Sequence, residues 1–246
     1  MTAIVTTSWD DGHILDLRIA ELLDRYGLTG TFYIARDFLD ERMNESQIRE
    51  LAQRHEIGAH TLTHPVLTEV SLQQAELEIR GSKTWLEDVL GAPVTTFCYP
   101  KGANNPDLQR IVQEAGYTLA RSVERFTIEA GKNPYAIPTT LNCYPYPLRP
   151  FAGMAWFRGW RGRLAPVRDA LPAVRRFRLS PLALLSWQKL AEALLGAADQ
   201  QDGIWHLWGH SWEIEQYGLW DALEQLLKAV RASDSIRPIP NSQIIS

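Results

Sequence analysis

Cysteine is nearly absent. Two thiols, Cys98 and Cys143, in 246 residues cannot build a disulfide framework, and without a Cys-x-x-Cys pair they make no cysteine metal site. A reducing compartment is the expectation. Positive charge is also short: 25 Lys and Arg against 29 Asp and Glu leave a net charge of -4. That removes the broad basic surface that nucleic-acid binding draws on, so no nucleic-acid partner is expected. No apolar run approaches the roughly 18 residues of a bilayer span. The opening MTAIVTTSWDD has neither a basic start nor an apolar stretch behind it, so the chain is expected without a secretory leader and in the cytoplasm. Internal repeats and low-complexity tracts are missing. What remains, 45% hydrophobic and 22% charged, is an ordinary globular composition. The length suits one α/β domain spanning 1–246 with a sizeable core.

Short β-branched or apolar runs alternate with amphipathic ones. Ala3 to Thr7 predicts a buried strand, and Ile14–Gly27 a helix closed by glycine. GTFYI reads as a strand, ESQIRELAQRH as a helix and IGAH as a strand. Ser71 is a candidate N-cap for a helix that stops at Gly91. VTTFCYP, NPDLQRIVQEAG and YTLARSV continue the alternation, and GIWHLWGH followed by YGLWDALEQLLKAVRA closes it. Such a pattern predicts parallel βαβ units in an open sheet or barrel, with ligands at the C-terminal strand ends. One stretch, Leu141 to Ser180, breaks it. Eight arginines there (Arg149, Arg158, Arg161, Arg163, Arg168, Arg175, Arg176 and Arg178) face a single acid, Asp169. The stretch reads as an insertion or lid.

Two adjacent carboxylates, Asp10 and Asp11, stand where the first strand is expected to end, followed by Gly12. Farther on, GAHTLTHP carries His60 and His64 four residues apart, a spacing that brings both imidazoles to one side of a turn. Alone, an Asp-Asp pair is ordinarily a turn and a His pair a surface feature. Both at strand ends of one α/β pattern point instead to a three-ligand divalent metal site with a position open for water. One of the two aspartates would ligate while the other takes a proton from the bound water. In HLWGHSWEIE, His206 and His210 share strand parity. One of them could protonate a leaving group, and His206 is expected to be a hydrogen-bonded core residue. His13 and His55 are expected to be structural or exposed.

In this order, SWDDG, HTLTH, FCYPKG and LWGHSWE resemble the motif series of the polysaccharide deacetylases (the NodB-homology proteins, carbohydrate esterase family four). The resemblance runs from Val5 to about Glu213, apart from the Leu141–Ser180 stretch. It implies a distorted (β/α) barrel and metal-dependent removal of N- or O-acetyl groups from an amino-sugar glycan or glycan precursor, with Zn²⁺ first among the candidate ions. By position it implies Asp10 as catalytic base, Asp11, His60 and His64 as metal ligands, and His210 as catalytic acid with Trp208 two residues before it. It also implies an oxyanion donor at the Lys101 backbone N–H. Two departures stand out. The third motif usually carries an arginine where this chain has Cys98, and the aspartate of the fourth is not evident. Arg121, at the end of the next strand, could replace that guanidinium beside Asp10, or be a surface residue; Glu213 could orient His210.

The same residues would serve a deformylase or an amidase on a small non-sugar substrate. The departures also leave room for a catalytically silent glycan-binding barrel. In the arginine-rich stretch, Trp156, Trp160, Tyr144 and Tyr146 could pack on sugar rings while the guanidinium forks take phosphate. That suggests an anionic sugar carrier, or a peripheral seat on an acidic membrane surface. The plainer expectation is a solvated lid whose aromatics pack on the barrel.

Overall fold

Ala3–Asp11 form the first strand, β1, in which every residue but Ile4 is buried. That is how a strand covered on both faces reads. The computed structural model describes residues 2–148, 162–233 and 235–245. Along them follow α1 (Asp16–Arg25), β2 (Gly30–Ile34), α2 (Glu45–Leu51), β3 (Glu56–Ala59), α3 (Leu72–Leu90), β4 (Thr96–Cys98), α4 (Pro106–Glu114) and β5 (Leu119–Arg121). The second half supplies β6 (Leu141–Asn142), α5 (Ala165–Arg176), α6 (Trp187–Gln200), β7 (Ile204–Gly209), α7 (Ser211–Gln216), α8 (Trp220–Arg231) and β8 (Ile236–Pro238). The sheet order is β5-β4-β3-β2-β1-β7-β6, with β8 paired to the first residues of β1. Every ladder is parallel. The sheet curls into a half-barrel with helices around it, so all its C-terminal strand ends open on one side.

Local chemistry sets the helix ends. Ser71 accepts the Gln74 N–H at 3.2 Å, and α3 stops at Gly91 in the left-handed region, φ 64. Asn44 and Gln47 close a reciprocal capping box on α2, satisfying amides that have no partner inside the helix. Trp9, Phe32, Phe97 and Leu207 from the strands meet Leu23, Leu86, Leu194 and Leu227 from the helices, all fully buried. Each such side chain contributes about 1.5–3 kcal/mol on leaving water.

The structure departs from the sequence reading in four places. β1 runs through Asp10 and Asp11 rather than ending before them. His60 and His64 are joined by a bend without helical hydrogen bonding, His64 having φ 57. The boundary drawn at Leu141 falls inside the sheet, because Leu141 and Asn142 pair with Leu207 and Trp208. Within the stretch taken as an insertion or lid, α5 sends Ala170 and Val174 into the core, whereas Tyr146 packs against that core as the plainer expectation had it. Finally, α6 and β8 have no counterpart in the expected pattern. Arg149, Arg158, Arg161, Trp156 and Trp160 lie outside the described residues. Among the described residues, no helix is long and apolar enough to cross a membrane.

His206 is a core histidine, 1% exposed, with Nε2 2.8 Å from the Ser8 hydroxyl. Burial, and then the Arg121 cation, lower its pKa from 6.5 to about 3. His13 and His55 are structural: their Nδ1 atoms accept the Leu15 and Gly30 amides, and neither is exposed. Because His206 stays neutral in the fold while the unfolded chain binds its proton near pH 6.5, stability falls as pH drops through that value. Urea unfolding of wild type and His206→Gln should show it. Between about pH 7 and pH 5 the wild type should lose about 2 kcal/mol relative to the variant. Parallel pH dependences would contradict the assignment.

Candidate active site

The ends of six strands, β1, β3, β4, β5, β6 and β7, meet at a cleft of about 380 Å³ lined by Asp10, His60, His64, Lys101, Arg125 and His210, among others. β1 delivers both carboxylates, each 2% exposed. Asp11 takes φ 85 and Gly12 φ 77. A Cβ at position 12 would stand 2.7 Å from Ile34 Cγ2, so glycine is required there. The reversed backbone ends the strand's alternation, and both carboxylates come within reach of His60.

Asp11 Oδ2 accepts the Trp212 indole N–H at 2.9 Å. Its Oδ1 lies 3.6 Å from His60 Nε2 and 3.5 Å from His64 Nε2, and it is buried without a hydrogen-bond partner. Donors bound tetrahedrally to one zinc ion lie about 3.4 Å apart, given bonds of about 2.1 Å. The three atoms therefore fit a shared divalent cation. His60 Nδ1 is 2.7 Å from the Cys98 carbonyl. A carbonyl can only accept, so Nδ1 carries the proton and Nε2 presents its lone pair to Asp11. Burial lowers the pKa of His60, and burial followed by His60 lowers that of His64 to about 4. Both rings are thus neutral, the form that ligates. His64 is also stacked on Phe38, with centroids 4.0 Å apart.

A buried residue on α3 holds this loop. Glu78 accepts the Leu62 and Thr63 amides at 2.8 and 2.9 Å and the Thr63 hydroxyl at 2.7 Å. Thr61 adds a local brace, its Oγ1 accepting the His64 N–H at 3.0 Å.

Asp10 takes a different set of partners. Its Oδ2 accepts from Arg121 Nη2, while Oδ1 is buried and unpartnered. Burial pushes the Asp10 pKa up, but Arg121, then His60 and His210, outweigh it and hold the group below the ordinary value, so Asp10 is a carboxylate. Arg121 is fully buried and therefore not a surface residue. Its Cζ lies 4.7 Å from the Trp208 ring and 5.4 Å from that of Tyr33. Nη2 also approaches Cys98 Sγ at 2.9 Å, and Cys98 and Arg121 are register partners across β4 and β5. Asp10, His60 and Cys98 form a second close cluster. Arg121 already brings a cation to its aspartate and thiol, which leaves Asp11, His60 and His64 as the set suited to a metal.

His210 follows β7. Its Nδ1 is 2.6 Å from Glu213 Oε2, and its Nε2 is 3.9 Å from Asp11 Oδ2. Burial lowers its pKa, but the Glu213 hydrogen bond and the charges of Asp11 and Asp10 raise it further, to about 9. Lys101 sits in a tight turn at φ 56. The turn's own bonds run from Gly102 N–H to Tyr99 O and from Ala103 N–H to Pro100 O, and neither uses the Lys101 amide. All eight residues singled out from the sequence thus border one cleft or contact residues that do. Glu78, Trp212 and Phe38 were not foreseen. Trp212 stood inside a motif already noticed, whereas Glu78 reads like any other acid on an amphipathic helix.

Glu78→Ala removes the acceptor of two backbone N–H groups and of the Thr63 hydroxyl. It should weaken Zn²⁺ affinity about 10- to 100-fold, as losses of supporting hydrogen bonds do, measured by competition with a chromophoric chelator. Unchanged affinity would mean that the clamp does not shape the ligand loop.

The family model for polysaccharide deacetylase matches residues 2–120. The chain is 25% identical over 137 residues to YxkH of Bacillus subtilis, a protein described among the polysaccharide deacetylases; the aligned part covers 54% of this chain and 49% of YxkH. The chain thus spans about half the length of that relative. Among solved structures, a Mycobacterium smegmatis protein of the polysaccharide deacetylase type superposes with a TM-score of 0.65 at 18% identity, over 99% of this chain and 88% of its own. A family 4 acetyl xylan esterase from Clostridium thermocellum, solved with a cobalt ion, gives 0.57 at 15%, over 98% and 89%. These likenesses establish the curled half-barrel fold, and over residues 2–120 the chain is similar to the polysaccharide deacetylase family.

Proposed function

We propose that the protein is a metal-dependent deacetylase that removes an N- or O-acetyl group from an amino-sugar-containing glycan or glycan precursor. The observation that carries this is the buried, unpartnered Asp11 Oδ1 facing two neutral imidazole nitrogens at 3.5 and 3.6 Å, with Asp10 alongside. A divalent cation held by Asp11, His60 and His64, Zn²⁺ first, would polarise the acyl carbonyl and acidify water. Asp10, kept ionised by Arg121, takes the proton released as water adds to the carbonyl carbon. The Lys101 N–H donates to the oxyanion that forms. His210, cationic and oriented through Nδ1 by Glu213, gives its Nε2 proton to the departing nitrogen or oxygen as its bond to the acyl carbon breaks. The products are acetate and the freed amine or hydroxyl. Two features that would favour a silent barrel, Cys98 and the missing fourth-motif aspartate, are offset by geometry: a guanidinium from Arg121 and a carboxylate from Glu213.

Zn²⁺-loaded protein incubated with N-acetylated oligosaccharides should release acetate. Asp10→Asn should lower kcat at least about 100-fold while retaining Zn²⁺; no acetate, or an undiminished variant, would count against the reading. A second test uses the acid. Glu213→Gln removes the main group raising the His210 pKa, so the variant loses its acid at lower pH. The alkaline limb of its kcat/KM profile should move down, and an unmoved limb would assign the proton to another group.

A further inference from the structure

A third buried carboxyl has no part in the chemistry above. Asp16 opens α1 and is fully buried. Its Oδ1 accepts the Ser211 hydroxyl at 2.5 Å, across 195 positions of sequence, while its Oδ2 is shut in without a hydrogen-bond partner. Ser211 is fully buried too and begins α7. The residue before it is His210, bonded through Nδ1 to Glu213. The residue after it is Trp212, whose indole N–H donates to Asp11 Oδ2 at 2.9 Å. One hydroxyl thus ties the start of α1 to the short turn that carries both groups.

That turn needs an anchor outside itself. α7 has 6 residues, well below the roughly 12–15 at which an isolated helix becomes even marginal in water. His210, at its N-cap, makes no side-chain capping bond. The Glu213–His210 bond lies within the same turn, so it sets the ring against the helix and not the helix against β1. Ile214 is buried and holds the apolar side. Among the polar contacts to the first strand and helix, Arg18 to Glu215 at 3.6 Å is half exposed on both sides and worth little. The closer ones are Trp212 to Asp11 and, fully buried, Ser211 to Asp16. Burial raises the Asp16 pKa well above the ordinary range, the Ser211 bond offsetting part of this and Asp11 and Asp10 adding to it. The group is thus a neutral acid that asparagine can copy. We propose that Asp16 is a positioning residue: through Ser211 it fixes the first turn of α7, aiming His210 at the departing group and holding Trp212 on Asp11.

The inference rests on the deacetylase reading for its kinetics, but not for the contact between Trp212 and Asp11. The test compares Asp16→Ala, Ser211→Ala and Asp16→Asn in the full chain. Ser211→Ala removes a single oxygen and keeps the test open should Asp16→Ala not fold. With Zn²⁺ and an N-acetylated oligosaccharide, both alanine variants should lose about 10- to 100-fold in kcat with KM little changed, as misplaced groups do. Asp16→Asn, whose Oδ1 can still accept the Ser211 hydroxyl, should recover most of that loss. A second readout needs no metal and no turnover. The Trp212 indole N–H proton resonance, assigned by its disappearance in Trp212→Phe, should exchange with water faster in both alanine variants and at close to the wild-type rate in Asp16→Asn. An undiminished kcat or an unmoved indole exchange rate in Ser211→Ala overturns the proposal and leaves the deacetylase reading intact. So does a loss in Asp16→Asn as deep as that in Asp16→Ala, which would give the carboxyl a proton to transfer rather than a turn to hold. If the wild type releases no acetate, the deacetylase reading fails, and the indole exchange rate alone decides the role of Asp16.

Discussion

Two like charges buried side by side at the end of one strand set the terms for this structure. A buried carboxylate without a counter-charge is too costly to keep, and Asp10 and Asp11 are both almost inaccessible. They are given different partners. Asp10 receives a full positive charge from Arg121. Asp11 receives an indole N–H and two imidazoles, none of which is a cation when neutral. That asymmetry separates the two: one carboxylate is already compensated and stays ionised, while the other, in the function proposed above, would be completed by a divalent cation. The buried orphan oxygen on Asp11 belongs to this logic.

Holding the arrangement requires backbone that relaxed strands and helices do not offer. Of the seven non-glycine residues with positive φ among the described residues, four (Asp11, Thr61, His64 and Lys101) lie at this site. Each costs on the order of 1–3 kcal/mol and persists only if its surroundings over-determine it. The fold does so from several directions. Glu78 fixes the Leu62 and Thr63 amides, Trp212 fixes Asp11, and the Cys98 carbonyl fixes the tautomer of His60. A curled parallel sheet suits this task, because neighbouring strand ends converge while helices outside lock their spacing.

What could be read from the sequence followed from how local the signal was. The Asp10–Asp11 pair and the His60–His64 pair are contiguous motifs, so their convergence at strand ends was legible. His206 was separable from His210 because it lies inside β7 while His210 follows the strand's end, and inside the sheet a polar ring must find an internal partner. β6 and β8, of 2 and 3 residues, went unseen, whereas the equally short β4 and β5 stand inside the longer runs VTTFCYP and YTLARSV. Helix α6 follows the arginine-rich stretch, and its alanine-rich face gave no motif to anchor it. Glu78 is the clearest limit. On α3 it differs from exposed Glu76 only in facing inward, a property conferred by the loop packed over it.

The exchange of Cys98 and Arg121 shows why a departure from a motif need not be a departure from its geometry. In a parallel ladder, register partners project from the same face a strand spacing apart. A guanidinium on β5 can therefore reach a carboxylate on β1 that an arginine on β4 would otherwise address, if the β4 residue is small. Cysteine meets that condition. Its burial raises the thiol pKa well above the ordinary range, so it stays neutral and adds no charge beside Asp10, while its sulfur accepts a guanidinium hydrogen. A longer residue at position 98 would fill the space through which Arg121 reaches Asp10. The two positions are thus one structural unit, and the identity of either is interpretable only with the other.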